Sequence, residues 1–265
     1  MPRPVHRHDS QPTPRWCSCA VPDEVEEERS SLSRRGFLTG VSAATALAAA
    51  GWAAASPDKA MAADGGKTVT ITIMGSSDIH SHAVNWDYYT DAVYSDKAGN
   101  AVGLSRVSSV VNHIRNARGR DRTLLFDAGD TIQGTPLGFY YATVEPITST
   151  GAIHPMAAQM NAIGYDAVAL GNHEFNYGLD MLDTWISQMD APVLAANAVR
   201  AGTTVPAYRP YTIKTLNLKG YKPIRVGVLG MTNPGVVIWD KANVSGRLEV
   251  LDVVETAKQI GRAHV

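Results

Sequence analysis

From residue 68 the chain reads Thr-Val-Thr-Ile-Thr-Ile-Met, a strict alternation of polar and apolar positions that predicts a strand with one buried face. A loop rich in aromatic and polar residues follows, over 80–100. Leu104, Val107, Val110, Val111 and Ile114 then recur at helical spacing, Arg115 and Arg118 fall near the end of that pattern, and Gly119 stops it. Residues 123–126 (Thr-Leu-Leu-Phe) are a short apolar run and predict a buried strand. Pro155 opens a predicted helix over 155–163, since proline lacks an N–H that the first helical turn leaves unused anyway. A strand is predicted over 167–170, then a helix over 179–189 with Leu182, Trp185, Ile186 and Met189 on one face. Further strands are predicted over 192–196, 211–213 and 225–231, and a helix begins over 253–260. Strands and helices alternating across short links indicate a layered α/β domain.

The chain before this domain has a different pattern. Residues 1–32 are polar, proline-bearing and without apolar periodicity, with an acidic run over 23–28, and are expected to be disordered. Ser33-Arg34-Arg35-Gly36-Phe37-Leu38 then leads into an alanine-rich stretch over 38–55, and Ala60-Met61-Ala62 offers small residues for cleavage. That order over 33–62 is an export signal of the twin-arginine type. The alternative is a membrane anchor, which would need about 20 strongly apolar residues. Here the stretch is mostly alanine, diluted by Thr39, Gly40, Ser42 and Thr45. The membrane is therefore expected as a transient contact during export, to the periplasm, cell wall or medium.

Composition removes other classes. The 265 residues carry a formal net charge of -1, and no basic stripe marks a nucleic-acid polymer as partner. The two cysteines, Cys17 and Cys19, both precede the domain, so disulfide and thiol chemistry are not expected within it. A Cys-x-Cys metal fragment is the other reading of that pair.

Three predicted strands end in residues suited to metal ions, at the loops where sheets of this kind carry function. In Ser76-Ser77-Asp78-Ile79-His80, Asp78 and His80 stand two apart and would face one side of an extended segment, as half a metal site. A loop cap plus a surface histidine fits the same residues. In Asp127-Ala128-Gly129-Asp130-Thr131-Ile132-Gln133-Gly134-Thr135-Pro136, glycine permits a sharp turn that leaves Asp130 at the strand's mouth, where a carboxylate can bridge two cations. Asp127 is expected to orient the loop by hydrogen bonds. A tight turn with helix-capping aspartates is the plainer alternative. In Gly171-Asn172-His173-Glu174-Phe175-Asn176-Tyr177-Gly178, Asn172 offers a neutral carbonyl ligand and His173 would point toward a substrate. A helix cap beside a satisfied histidine would also account for it.

Taken in order, Asp-x-His, Gly-Asp and Gly-Asn-His-Glu resemble the motif series of the calcineurin-like metallophosphoesterases. The fuller string Gly-Asp-Thr-Ile-Gln-Gly-Thr-Pro is similar to the 5'-nucleotidase branch. Within it, Ile153-His154-Pro155, Asn172 to Gly178, and Trp239-Asp240-Lys241-Ala242-Asn243-Val244-Ser245-Gly246 resemble the 2',3'-cyclic-nucleotide 2'-phosphodiesterase/3'-nucleotidases. The resemblance runs from Thr68 to about Gln259. It implies an α-β-β-α sandwich and two divalent cations, of manganese, iron, zinc or cobalt. Asp78, His80 and Asp130 would hold one cation, and Asp130 and Asn172 the other. Cations about 3.5–4 Å apart clamp a phosphoryl group and activate a water for in-line attack. His173 would be the catalytic group, steadying phosphoryl oxygens or protonating the leaving oxygen, with Asp127, Glu174 and Asn176 behind it. Many relatives carry a carboxylate where this chain has Asn176, and an amide can orient the imidazole without stabilising its charged form.

The resemblance also implies histidine ligands from later loops, including a Gly-His-x-His segment, and a C-terminal nucleotide-binding domain. Neither is in the sequence. Residues 63–259 are accordingly expected to be the first part of the phosphoesterase domain, incomplete at its C-terminal side and nearly inactive alone. Residues 260–265 (Ile-Gly-Arg-Ala-His-Val) read as a sequencing artefact, so His264 has no expected role. His82, His113, His154, Trp239 and the cluster Trp86, Tyr88 and Tyr89 are expected to be structural. The favoured substrates are 2',3'-cyclic nucleotides and 3'-nucleotides, giving nucleoside and phosphate. The rivals are a 5'-nucleotidase or nucleotide-sugar hydrolase, a sulfur-compound hydrolase, and a non-catalytic exported binding protein.

Overall fold

The structure is a computed structural model that describes residues 68–262. The expected leader, the export signal over 33–62 and His264 lie outside the described residues. Strands β1 (Thr72–Ser76), β2 (Thr123–Asp127), β3 (Ala167–Ala169) and β4 (Val193–Leu194) form one sheet in that spatial order. All three pairings are parallel, with Ser76 opposite Asp127 and Asp127 opposite Val168. Parallel neighbours need a crossover between them. Helix α1 (Leu104–Arg118) supplies the first, and the short α2 (Pro136–Phe139) and α3 (Ile147–Thr150) lead to α4 (Pro155–Ile163) in the second. Helix α5 (Leu179–Ser187) makes the third.

Strand β2 is apolar on both faces because both are covered. Leu125 joins the main core with Met74, Val168, Leu104, Val111, Met160, Leu182 and Trp185. Leu124 and Phe126 face the other way, against Leu216, Leu218, Ile224 and Val226. Those residues belong to a second sheet layer, the antiparallel hairpin β6 (Tyr211–Leu216) and β7 (Ile224–Leu229), which follows β5 (Ala198–Arg200). Two short helices, α6 (Val236–Trp239) and α7 (Lys241–Val244), come next, then β8 (Leu248–Val250), antiparallel to β5, and α8 (Val253–Arg262). Ala257 and Ile260 of α8 line a cavity with Ile213 and Leu229 of the hairpin. The layers therefore run helix, sheet, sheet, helix, as the sequence led us to expect.

Several local expectations are corrected. β1 begins at Thr72, not at residue 68, although Val69 and Ile71 still pack against the hairpin's core. Ile73, on the alternating apolar face, is 64% exposed, and Val110 of α1 is 59% exposed. Both line an open groove of ≈ 760 Å³ along β1 with Val107, Val111 and Ile114, so apolar periodicity here marks a surface as well as a core. Arg115, placed at the end of α1, is buried: its guanidinium donates to Ile163 O and, at 2.7 Å, to Gly164 O, capping the last turn of α4. Helices α2, α3, α6 and α7 have four residues each, too few to show a period. Among the described residues no helix is long and apolar enough to cross a membrane.

Candidate metal centre

The three loops are joined in series by hydrogen bonds. In the second, Asp127 Oδ1 accepts from Gly129 N at 2.9 Å and Thr131 Oγ1 at 3.0 Å, and Oδ2 accepts from Ser76 Oγ at 2.5 Å. Asp127 thus ties the start of its own loop to Thr131 and to the end of β1 by hydrogen bonds. Ser76 spends its one hydrogen on Asp127, so the 2.8 Å contact with Tyr165 is donated by the phenol. Burial raises both groups, the Asp127 carboxyl above the ordinary range and the Tyr165 hydroxyl to about 12.

Glu174 ties the third loop to the second. It is fully buried, yet its Oε2 accepts from Asp130 N at 2.8 Å and from Gly171 N at 2.7 Å, while Oε1 accepts from Thr131 N at 2.5 Å. Burial drives its carboxyl up to about 7, against the opposing pull of the Thr131 and Asp130 amides. Glycine is required where these loops touch. A Cβ on Gly129, whose φ is +95°, would stand 2.1 Å from Gly171 N, and one on Gly171 would stand 2.3 Å from Asp130 Oδ1.

The first loop is held by its backbone. Asp78 N donates to Gly129 O at 3.0 Å, His80 N to Asp130 O at 2.8 Å and Ser81 N to Thr131 O at 2.8 Å. Asp78, His80 and Ser81 have φ of 55°, 48° and 58°, so the extended geometry expected of Asp-x-His is corrected to a left-handed turn. The peptides of the second loop thus serve both neighbours. Their N–H groups go to Glu174, and their carbonyls go to the first loop.

One ligand atom each from His80, Asp130 and His173 lies within 4.8 Å of the others. The His80 and His173 rings meet edge to face with centroids 5.0 Å apart. Asp78 Oδ1 stands beside this group, 3.7 Å from His80 Nε2, with its side chain 63% exposed. Asn172 opens the 3-10 turn His173–Phe175, and its side chain makes no cap hydrogen bond there. The donor chemistry fits a divalent cation. His80 Nδ1 is 2.8 Å from Gln133 O and must donate to it, leaving Nε2 as the ligating atom, in the second-layer pattern usual for metal-binding histidines. Asp130 Oδ1 accepts from His173 N at 2.8 Å, which fixes the carboxylate at the mouth of β2.

His173 Nδ1 contacts Asn176 Oδ1 at 2.6 Å, and Asn176 Nδ2 donates to Asp240 Oδ1 at 2.7 Å. Gln133, Tyr165, Asp240 and Asn243 were not singled out as site residues by sequence. The string Trp239 to Gly246 held the signal for the last two, since its spacing of Asp240 and Asn243 puts both on one turn of chain. The other described histidines lie outside this cluster. His82 packs on Tyr94, with burial, then His80, holding its imidazole below the ordinary value. His113 is exposed, and His154 Nδ1 accepts from Met156 N to cap α4.

Comparison with known proteins gives the same frame. The chain is 38% identical over 196 residues to the 2',3'-cyclic-nucleotide 2'-phosphodiesterase/3'-nucleotidase of Salmonella typhimurium, covering 72% of this chain and 29% of that protein. It is 38% identical over 197 residues to the trifunctional nucleotide phosphoesterase protein YfkN of Bacillus subtilis, covering 72% of this chain and 13% of that protein. The crystal structure of the calcineurin-like phosphoesterase YfkN superposes with a TM-score of 0.65 at 37% identity, over 74% of this chain and 59% of that one. The chain spans less than a third of the length of either curated relative. No protein-family model matches it. With the motif order, the α-β-β-α layers and these relatives in agreement, the chain belongs to the calcineurin-like phosphoesterases.

Proposed function

We propose that the chain is the metal-holding part of an exported phosphoesterase that converts 2',3'-cyclic nucleotides and 3'-nucleotides to nucleoside and phosphate. The observation that carries this is the convergence of His80, Asp130 and His173 at the mouths of adjacent parallel strands. Asp78, His80 and Asp130 would hold one divalent cation, and Asp130 and Asn172 would hold a second. When bound, such cations supply Lewis-acid stabilisation of charge on a phosphoryl group.

The chain's own residues orient and protonate. Gln133 keeps the His80 ring turned so that Nε2 faces the cluster. Glu174 fixes the backbone under Asp130 and Gly171, so the ligands do not reorganise as charge develops. His173, held at Nδ1 by Asn176, keeps Nε2 facing the reacting group, and as the imidazolium it donates the Nε2 proton to the ribose oxygen that leaves phosphorus. The paired arginines of the leader, Arg34 and Arg35, support export in the folded state.

The test is turnover of 2',3'-cyclic AMP, 3'-AMP and 5'-AMP by the complete gene product loaded with manganese. Cyclic and 3'-substrates should be turned over fastest. A preference for 5'-AMP would replace this reading with a 5'-nucleotidase, and absence of divalent-ion binding would favour an exported binding protein.

A further inference from the structure

A hydrogen-bond chain leads away from the metal cluster into the protein, from His173 through Asn176 to Asp240. Its atom assignments follow from chemistry. An ionised carboxylate offers only acceptors, so the Asn176 atom facing Asp240 is the amide nitrogen. The amide oxygen is thereby turned to His173 Nδ1, and it can only accept. His173 then carries its proton on Nδ1 when neutral, and Nε2 is the nitrogen left for the reacting group.

We infer that Asp240 is a positioning residue for His173, acting through the Asn176 amide to set which ring nitrogen carries the proton. The inference rests on the proposed role of His173 at the phosphate. It also answers the missing carboxylate beside that histidine: a carboxylate acceptor stands one hydrogen bond further back, with the Asn176 amide between.

Two observations separate this from plain packing. The turn is already docked on α7 by Asn243, whose Nδ2 donates to Phe175 O at 2.9 Å and Asn176 O at 3.0 Å. The Asp240 side chain makes no cap bond to α7, whose first turn is instead served by the Asp240 carbonyl, accepting from Asn243 N and Val244 N. Asp240 is 5% exposed, and its Oδ2 is buried with no hydrogen-bond partner among the described residues. Burying an unpaired carboxylate oxygen is costly. An apolar residue of that size would pack without this cost, so the carboxylate is explained by what its other oxygen does to Asn176.

The test reads the His173 tautomer from imidazole nitrogen shifts in the 265-residue chain, with labelled histidine and at a pH where the ring is neutral. The wild type and Asp240→Asn, which keeps an acceptor for Asn176, should both show the Nδ1–H form. Asp240→Leu should shift the ratio toward Nε2–H by about tenfold, as loss of the acceptor that holds the Asn176 amide implies. An unchanged ratio in Asp240→Leu, or an equal shift in Asp240→Asn, overturns the inference. If Asp240→Leu does not fold, the smaller Asp240→Ala decides: it too should move the ratio toward Nε2–H, and a wild-type ratio in Asp240→Ala overturns the inference. In the complete gene product, Asp240→Leu should lower kcat about tenfold at constant KM, with Asp240→Asn retaining most of the rate. The spectrum needs no turnover, so failure of the hydrolase reading and failure of the Asp240 inference are seen separately.

Discussion

Asp130 and Asp78 are both carboxylates at strand mouths, and both sit at positive φ, 60° and 55°. Their settings differ. Asp130 has its backbone N on buried Glu174 and its Oδ1 on the His173 amide. Asp78 is tied only through its backbone N to Gly129 O, and its carboxylate is mostly in solvent beside His80. The β2–β3 side of the site is therefore fixed before any ligand arrives. On the β1 side the backbone is held, but the exposed Asp78 carboxylate, beside the open groove that Ile73 and Val110 line, can adjust at little cost. Cation affinity and stability should thus depend on different residues: the first on both sides, the second on the β2–β3 side alone.

Glu174→Ala tests that asymmetry hardest. It leaves the Asp130, Thr131 and Gly171 amides without their acceptor. At about 1–3 kcal/mol for each bare buried N–H, less the gain from no longer burying a charge, the loss should be about 4 kcal/mol in urea unfolding. Asp78→Ala should cost under about 0.5 kcal/mol, as exposed side chains do. Equal losses would abolish the comparison.

The buried side should also be the acid-sensitive one. His154 caps α4 through Nδ1, and burial holds its imidazole down at about 4, against an ordinary 6.5. A base with a depressed folded value stabilises the fold fully above pH 6.5, and that stability is lost as the pH falls toward 4. The span between 6.5 and about 4, at about 1.4 kcal/mol per pH unit, amounts to about 3 kcal/mol. Glu174 works in the opposite sense: its carboxyl, raised to about 7, favours the fold at low pH and penalises it as the pH rises through 7. Subtracting the unfolding profile of His154→Asn, which keeps a capping side chain and cannot titrate, isolates the histidine. A flat difference between pH 7 and 4 would contradict the buried cap.

Gly171→Ala should have the next largest effect. Its Cβ would enter the space of Asp130 Oδ1 and the Asp130 amide, and overpacking of this kind costs about 2 kcal/mol. The relief available is a shift of the carboxylate, so manganese affinity by calorimetry should fall about tenfold as well. Lost stability with unchanged affinity would mean that Asp130 is not the shared ligand.

The same contrast explains what could be read from the sequence. Layers and strand mouths were legible because β2, α4 and α5 carry long or strongly patterned apolar runs. The candidate ligands were legible because each follows such a strand within a few residues. The staple was partly hidden: Glu174 stood in the motif, but its three amide partners lie on another loop, 43 residues away for Thr131. Asp240 lies 64 residues from Asn176, and no local spacing encodes that pairing. Burial at the β1 edge was overstated for a physical reason too. Alternation records which face a residue occupies and says nothing of whether that face has a neighbour, so Ile73 reads like Ile71 although only Ile71 reaches the hairpin core.

The smallest effect belongs to that edge, and it sharpens the comparison because it runs against hydrophobic patterning. Val110 belongs to the apolar period of α1, and a charged residue at a core position of a helix would cost several kcal/mol. In the fold it is 59% exposed and lines the groove together with Ile73. A lysine there can lay its stem along the groove and keep its ammonium in water. Val110→Lys and Ile73→Lys should therefore each change stability by less than about 0.5 kcal/mol. Val111→Lys, one position on and 3% exposed, should destabilise as a buried charge does. If Val110→Lys unfolds the chain as Val111→Lys does, the groove is closed in solution, and the β1 side of the site is as rigid as the side that Glu174 holds.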